Sequence, residues 1–105
     1  MTCADREEAR KIARTLVEEK KAACVSVFPR GESYFRWQGK IEREEEFLLI
    51  AKTRASLFSG LTETVKKIHS YEVPEIIALP ITGGSREYLE WLSREATDGE
   101  DEPVG

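Results

Sequence analysis

The chain has 105 residues, of which 40% are hydrophobic and 34% charged, as expected for one domain with a single modest core. Its net charge is −4, and four acids lie near the C-terminus: Asp98, Glu100, Asp101 and Glu102. Without these four, 16 basic residues balance 16 acidic ones. The chain has no basic patch, no basic amphipathic helix and no long apolar run, which argues against nucleic-acid binding and membrane association.

The two cysteines, Cys3 and Cys24, are too few for a disulfide scaffold. The N-terminus is polar and charged almost at once, unlike a signal peptide. We therefore expect a reduced, cytoplasmic setting. Cys24 opens an apolar run and is interpreted as a core thiol, because free cysteine is among the most buried residue types.

The first predicted element is an amphipathic helix over residues 6–21. Asp5 and Glu8 have capping-box spacing at its start, where they would satisfy free backbone N–H groups. Apolar residues recur at helical spacing along one face, namely Ala9, Ile12, Ala13, Leu16 and Val17.

A set of extended segments follows the helix. Residues 23–28 predict a short strand that Pro29 stops, and the next residues form a turn. Residues 33–38 and 40–43 are predicted to be extended and bent at Gly39, and 47–53 to form an apolar strand. The glutamates between them, 44–46, are interpreted as an exposed, solvated corner.

The second half contains two helices and one more strand. A core stripe at helical spacing predicts a helix over residues 57–68, and a Pro-containing turn leads to a fully buried strand over 76–81. A last helix is predicted over residues 86–96, with Ser85 as its cap. Residues 97–105 are acidic and have nothing to bury, so a disordered tail is expected.

This order, with helices separated by runs of strand, indicates a single α+β domain over residues 1–96. One strand before the first helix would complete the βαββαβ pattern of ferredoxin-like folds. Only residues 1–4 precede that helix, too few for a full strand.

Several spaced motifs occur in one order along the chain: Thr2, Ala22-Ala23-Cys24, Ser33-Tyr34, Trp37, Gly39-Lys40-Ile41, Lys52-Thr53, His69, Tyr71-Glu72-Val73-Pro74-Glu75-Ile76-Ile77, Pro80-Ile81, Tyr88-Leu89 and Trp91-Leu92. Together they resemble the CutA family of divalent-cation tolerance proteins. The resemblance implies a ferredoxin-like (PII-like) antiparallel sheet with helices on one face and a C-terminal helix, in a small cytoplasmic homotrimer. Family members begin with an apolar strand that is absent here, so lower stability or a rearranged sheet is expected.

The resemblance also implies a role in divalent-cation tolerance, with copper (Cu²⁺) as the bound ion. By position, one histidine of the family's copper site is His69, the other falls on Ile68, and the cysteine falls on Met1, two residues before Cys3. His69 and Cys3 are therefore the predicted metal ligands, since imidazole and thiolate suit copper. No catalytic set of residues is visible, so an enzyme is not expected.

Two other functions remain open. The first is a PII-like regulatory trimer that senses a small anionic metabolite between subunits, using Trp37, Lys52, Tyr71 and Glu75. The second is a structural trimer scaffold. Against the ligand hypothesis, trimer-interface packing is the favoured interpretation of Trp37 and Tyr34. Lys52 is more typical of a surface lysine with an apolar stem than of a ligand-binding residue.

Overall fold

The computed structural model describes residues 1–97. The elements are β1 (Thr2–Cys3), α1 (Arg6–Glu18), β2 (Cys24–Trp37), β3 (Lys40–Lys52), a 3-10 turn (Ala55–Leu57), α2 (Phe58–Ile68) and α3 (Arg86–Glu95). The three strands form one antiparallel sheet in the order β1-β3-β2, and helices α1 and α2 pack on one of its faces. The class is therefore α+β.

Strands β2 and β3 form one long hairpin, from the Cys24–Lys52 pair at its base to the Trp37–Lys40 pair at its tip. The tip is a two-residue turn in which Gln38 and Gly39 have φ of 50° and 79°. Positive φ at both central residues matches the right-handed twist of the strands, so the turn closes the hairpin without splaying it.

The break predicted at Pro29 is instead a bulge. The strand register shifts between Phe28 and Gly31, and pairing resumes at once with Gly31 opposite Glu46. A side chain at Gly31 would meet the Glu46 carbonyl oxygen at 3.1 Å, so glycine permits this close approach. The corner predicted at residues 44–46 is therefore wrong, because all three residues lie within β3, although Glu44 and Glu45 are exposed as expected.

The main core lies between the sheet and helices α1 and α2. Asp5 caps α1 by accepting from the Glu8 backbone N–H, as the capping-box spacing predicts. Alternate β3 residues turn toward the helices, and Leu49 is only 1% exposed. The buried members of this core are Cys3, Ala9, Ile12, Leu16, Ala22, Leu49, Leu61 and Val65.

A second, smaller core joins α3 to the base of the hairpin and contains Ala23, Leu57, Leu92 and Ala96. Thr97 is buried, and its N–H donates to the Lys20 carbonyl at 2.9 Å. Thr97 therefore belongs to the folded body and not to a tail that begins there. The rest of the predicted tail, 98–105, lies outside the described residues.

The predicted strand over residues 76–81 does not form. Within residues 1–97 this segment pairs with no strand, and the side chains of Ile77, Leu79 and Ile81 are 69%, 85% and 54% exposed. The reason is that the edge strand β1 is too short to pair with these six residues. Strand β1 has two residues, paired with Phe47 and Leu48, and Met1 adds backbone bonds to Leu49 only.

Candidate metal site around His69

His69 ends helix α2, and its ring lies inside the protein. Its backbone turns to an extended conformation after donating to the Val65 carbonyl at 2.8 Å. The side chain is fully buried. One ring nitrogen, Nδ1, accepts from the Tyr71 N–H at 3.1 Å, which requires the proton to be on the other nitrogen. That nitrogen, Nε2, donates to the Thr2 carbonyl at 2.7 Å and so links α2 to β1.

The Glu8 carboxylate lies beside the His69 ring. Its Oε2 is 3.6 Å from Nδ1, and the Glu8 side chain is only 12% exposed. The N–H and hydroxyl of Ser70 donate to the two carboxylate oxygens at 2.9 and 3.2 Å, which fixes their orientation. The sequence interpretation missed Glu8 because the capping-box spacing already explained it. Its partner at this site is 61 positions away and gives no local pattern.

Tyr71 and Glu46 form the next layer of this network. The Tyr71 hydroxyl donates to Glu46 at 2.8 Å, and its ring packs on His69 with centroids 4.7 Å apart. Burial, then the hydrogen bond to the Glu46 carboxylate, raise the pKa of Tyr71 well above its usual value. Glu46 is 7% exposed, so it is a structural acceptor and not part of a solvated corner.

Cys3 lies close to this network but is held as a thiol. It is fully buried, and its Sγ donates to the Asp5 carbonyl at 3.7 Å. Burial, followed by the negative charge of Glu8, raises its pKa to about 11. Metals bind the thiolate, and this environment disfavours the thiolate. Cys3 therefore suits the core better than the metal-ligand role predicted for it.

The donor pair that this arrangement offers is His69 Nδ1 and the Glu8 carboxylate. A metal-binding histidine usually donates its other ring N–H to a carbonyl or carboxylate, and the Nε2–Thr2 bond is of this kind. Across residues 1–97, no group of three or more Cys, His, Asp or Glu side chains is arranged to hold a metal. One chain thus supplies two protein donors, and any further ligands would come from solvent or another subunit.

The four residues predicted for a metabolite site are not brought together as one set within the chain. Trp37 lies at the hairpin tip and Lys52 at its base, at opposite ends of the strand pairing. Tyr71 contacts Glu46 midway along β3. Glu75 is exposed on the unpaired segment.

Lys52 has close polar neighbours of its own. Its Nζ donates to Ser26 Oγ at 2.5 Å and lies 3.8 Å from Cys24 Sγ. All three side chains lie on the sheet face opposite the helices, since their positions alternate with the core-facing ones. The prediction that Cys24 is a core thiol is therefore wrong, because it is half-buried on the open face.

The structure defines a small α+β protein in which an antiparallel sheet bears its helices on one face, with a buried histidine network at one end of α2. No helix within residues 1–97 is long and apolar enough to cross a membrane. The sequence profile of the CutA1 divalent ion tolerance protein matches residues 1–95, and the chain belongs to this family.

Relatives and solved structures support this assignment. Protein CutA, chloroplastic, of Arabidopsis thaliana is 54% identical over 92 residues, or 88% of this chain and 50% of that protein. The chain thus spans about half the length of that relative. The solved structure of the Thermus thermophilus divalent cation tolerance protein has a TM-score of 0.90 and 49% identity, covering 91% of this chain and 93% of that one. Its agreement confirms the predicted ferredoxin-like class.

The comparisons overturn the expected cytoplasmic location. The Arabidopsis relative is named chloroplastic, and the CutA of Archaeoglobus fulgidus is described as periplasmic. That second structure has a TM-score of 0.88 and 45% identity, covering 91% of this chain and 93% of that one. The same fold thus occurs in proteins assigned to different compartments.

Proposed function

We propose that this protein acts in divalent-cation tolerance and binds Cu²⁺ at His69, with Glu8 as the second protein ligand. The main support is the 3.6 Å separation between His69 Nδ1 and the Glu8 carboxylate oxygen Oε2, in a site where the other ring nitrogen donates to the Thr2 carbonyl. Imidazole nitrogen with carboxylate oxygen is a donor set that suits Cu²⁺. The family name and the names of the Thermus and Archaeoglobus relatives agree with this role.

Copper binding at this site would replace one contact and keep the others. The bound ion would take the place of the Tyr71 N–H at Nδ1, while Nε2 keeps its bond to Thr2. Two protein donors per chain provide a modest affinity. We also propose that the protein is a homotrimer, as the resemblance implies, so that three equivalent sites are present in each assembly.

Native mass spectrometry with one equivalent of Cu²⁺ per subunit tests both parts of this proposal. We expect a trimer that takes up three ions. Glu8→Gln, which keeps the shape but removes the charge of the proposed ligand, should weaken binding by at least the roughly 10- to 100-fold that loss of an outer-shell partner costs. Cys3→Ala is the matched control and should bind copper like the wild type.

Other outcomes would count against specific parts of the proposal. A trimer that takes up no copper would exclude the metal role and keep the assembly. Copper uptake that Cys3→Ala abolishes and Glu8→Gln leaves unchanged would replace Glu8 by the thiol. A monomer would exclude the trimer and leave the copper site to be judged by stoichiometry alone.

The second candidate function is a sensor of a small anion, and the environment of Lys52 favours it. The Lys52 ammonium lies on the open sheet face beside the Ser26 hydroxyl, a pairing that suits phosphate or carboxylate groups. We expect one member of a panel of phosphates, nucleotides and di- or tricarboxylates to raise the melting temperature. Lys52→Ala should remove the shift, whereas Lys40→Ala, at the exposed hairpin tip, should keep it. No shift with any anion in the panel would exclude this candidate.

A further inference from the structure

A groove of about 390 Å³ runs between helices α1 and α2 on their outer surface. Neither the copper site nor the anion hypothesis uses the residues that line it. Its two walls carry residues at helical spacing, namely Lys11, Thr15 and Glu19 on the α1 side and Gly60, Thr64 and Lys67 on the α2 side.

Lys21 places its charge at one end of this groove. Its stem passes over Gly60, where a Cβ would lie 3.3 Å from Lys21 Cε, so the missing side chain leaves room for the lysine. Its Nζ donates to Glu19 Oε1 at 2.8 Å, and the Thr64 hydroxyl donates to the same oxygen at 3.4 Å. The hydrogen bond from Lys21, with a smaller contribution from the charge of Lys67, lowers the pKa of Glu19. The carboxylate inside the groove therefore lies among positive charges.

The other two lysines of the groove have no acidic partner in the part of the chain that the structure describes. Lys11 and Lys67 are exposed, and neither forms an ion pair within residues 1–97. With Glu63 included, three lysines and two glutamates line the groove, so its lining has one positive charge in excess. An acidic segment is the occupant that such a surface attracts.

The acidic C-terminal segment of this chain begins at the end of the groove. Thr97 is buried, and its N–H donates to the carbonyl of Lys20, the neighbour of Lys21. The eight residues that follow, 98–105, include four acids and no basic residue. Eight residues reach at most roughly 26 Å, whereas the groove is only about 12 Å long, measured along α1 from Glu19 to Lys11. The segment is therefore long enough to follow the groove.

We propose that the acids of residues 98–102 dock in this groove of the same chain and form ion pairs with Lys21, Lys67 and Lys11. Each exposed ion pair is weak. The segment is tethered beside the groove at Thr97, however, and a short tether supplies a high effective concentration. Because the contacts are between exposed charges, salt should weaken them.

Docking would connect α1 and α2 at the end of the helix pair that is remote from the proposed copper site. At the copper site, Ser70 joins the two helices by donating its N–H and hydroxyl to Glu8. At the other end, the segment would contact lysines that belong to both sides of the groove. The docking uses neither His69 nor Glu8, so failure of the copper proposal would leave it standing.

Coupling with a water-soluble carbodiimide, which joins a carboxylate to an amine in contact with it, tests the docking on the full chain. We expect peptide mass spectrometry to find residues 98–102 linked to Lys21 or Lys67, and rarely to Lys40 at the hairpin tip. Raising the salt concentration from about 0.01 M to about 1 M shortens the Debye length from about 30 Å to about 3 Å, and should reduce these links. Protein refolded from a mixture of isotope-labelled and unlabelled chains should give links within one isotope type.

The rate of lysine acetylation in a full-length variant with a neutral segment provides a second measurement. The variant carries Asp98→Asn, Glu100→Gln, Asp101→Asn and Glu102→Gln. Lys67 should react roughly 1.5- to 5-fold faster in this variant than in the wild type, which is the effect of losing one exposed ion pair. Its neighbour Lys66, which is exposed but does not line the groove, is the matched control and should react at the same rate in both proteins.

Four results would overturn the proposal. The first is a set of links that Lys40 shares equally, and the second is a set confined to Lys20, beside Thr97. The third is an equal yield of mixed-isotope links, which would place the segment on another copy of the chain. The fourth is an acetylation rate of Lys67 that is the same in the wild type and the neutral variant.

Discussion

Two apolar stretches of this chain differ in structure: residues 47–51 lie in strand β3, whereas residues 76–81 form no strand. Both were predicted as strands from their composition. Residues 47–51 lie in β3, which pairs along β2, and Leu49 is 1% exposed. The second stretch pairs with no strand in the described part of the chain, and Leu79 is 85% exposed. Only Ile76, at its start, packs against the core.

The difference is not one of side-chain chemistry but of available partners. Strand β3 gains its neighbour through a two-residue turn, so its pairing is local in sequence. Residues 76–81 would have to pair along the free edge of β1, and β1 is only two residues long. An apolar run therefore indicates what a segment can bury, whereas a hydrogen-bonded neighbour decides whether it does so.

The largest expected change in stability comes from replacing a leucine in the first stretch, and a leucine in the second stretch is its control. Leu49→Ala leaves a cavity between the sheet and the helices, and we expect it to lower the free energy of unfolding by about 3 kcal/mol. Leu79→Ala removes a side chain that is mostly in water already, and should change stability by less than about 0.5 kcal/mol. Urea denaturation of the two variants measures both.

A comparable loss in Leu79→Ala would contradict this contrast. It would mean that residues 76–81 are packed in solution, against a strand or against another copy of the chain. Repeating the denaturation at several protein concentrations would distinguish these cases, because only association makes the midpoint depend on concentration.

The next effect concerns the short strand β1, which pairs with residues 47 and 48 of the first stretch. The pKa of Cys3 rises from 9.0 in the unfolded chain to about 11 in the folded one. Between these values the folded state keeps the thiol proton and the unfolded state loses it, so stability falls as pH rises. The loss should be roughly 2–3 kcal/mol from pH 9 to 11, and complete stability is present below pH 9.

Chemical denaturation at several pH values checks this slope. Cys3→Ala should remove it, whatever its effect on stability at neutral pH. Tyr71 also has a raised pKa and titrates in an overlapping range, so the difference between wild type and Cys3→Ala isolates the thiol. Parallel curves for the two proteins would show that Cys3 is not buried as a thiol, and β1 would then be loosely attached.

Much of the fold could be predicted from the sequence because its information is local. Helical spacing located α1 and α2, and Asp5 with Glu8 located the start of α1. The bulge at Gly31 was missed because a proline at that point ends most strands, and only the opposing β3 backbone restores the pairing.

The candidate site was less predictable because it is assembled from distant residues. His69 was identified as unusual, but its partners Glu8 and Thr2 come from the other end of the chain. Cys24 was assigned to the core because residues of both strand faces look apolar there, and the side of the sheet on which the helices pack cannot be read from a short run.

The smallest expected change in stability concerns the hairpin turn at Gln38 and Gly39, which connects β2 to β3. Gly39 has a φ of 79°, and a Cβ there would meet no atom within 4 Å, so substitution costs only backbone strain. Gly39→Ala should lower the free energy of unfolding by about 1 kcal/mol. Gly83, which also has open space around it but no positive φ, is the matched control, and Gly83→Ala should be nearly neutral. Equal effects at the two glycines would mean that the hairpin tolerates another turn, and that the pairing of β3 depends on its side chains and not on the connection that precedes it.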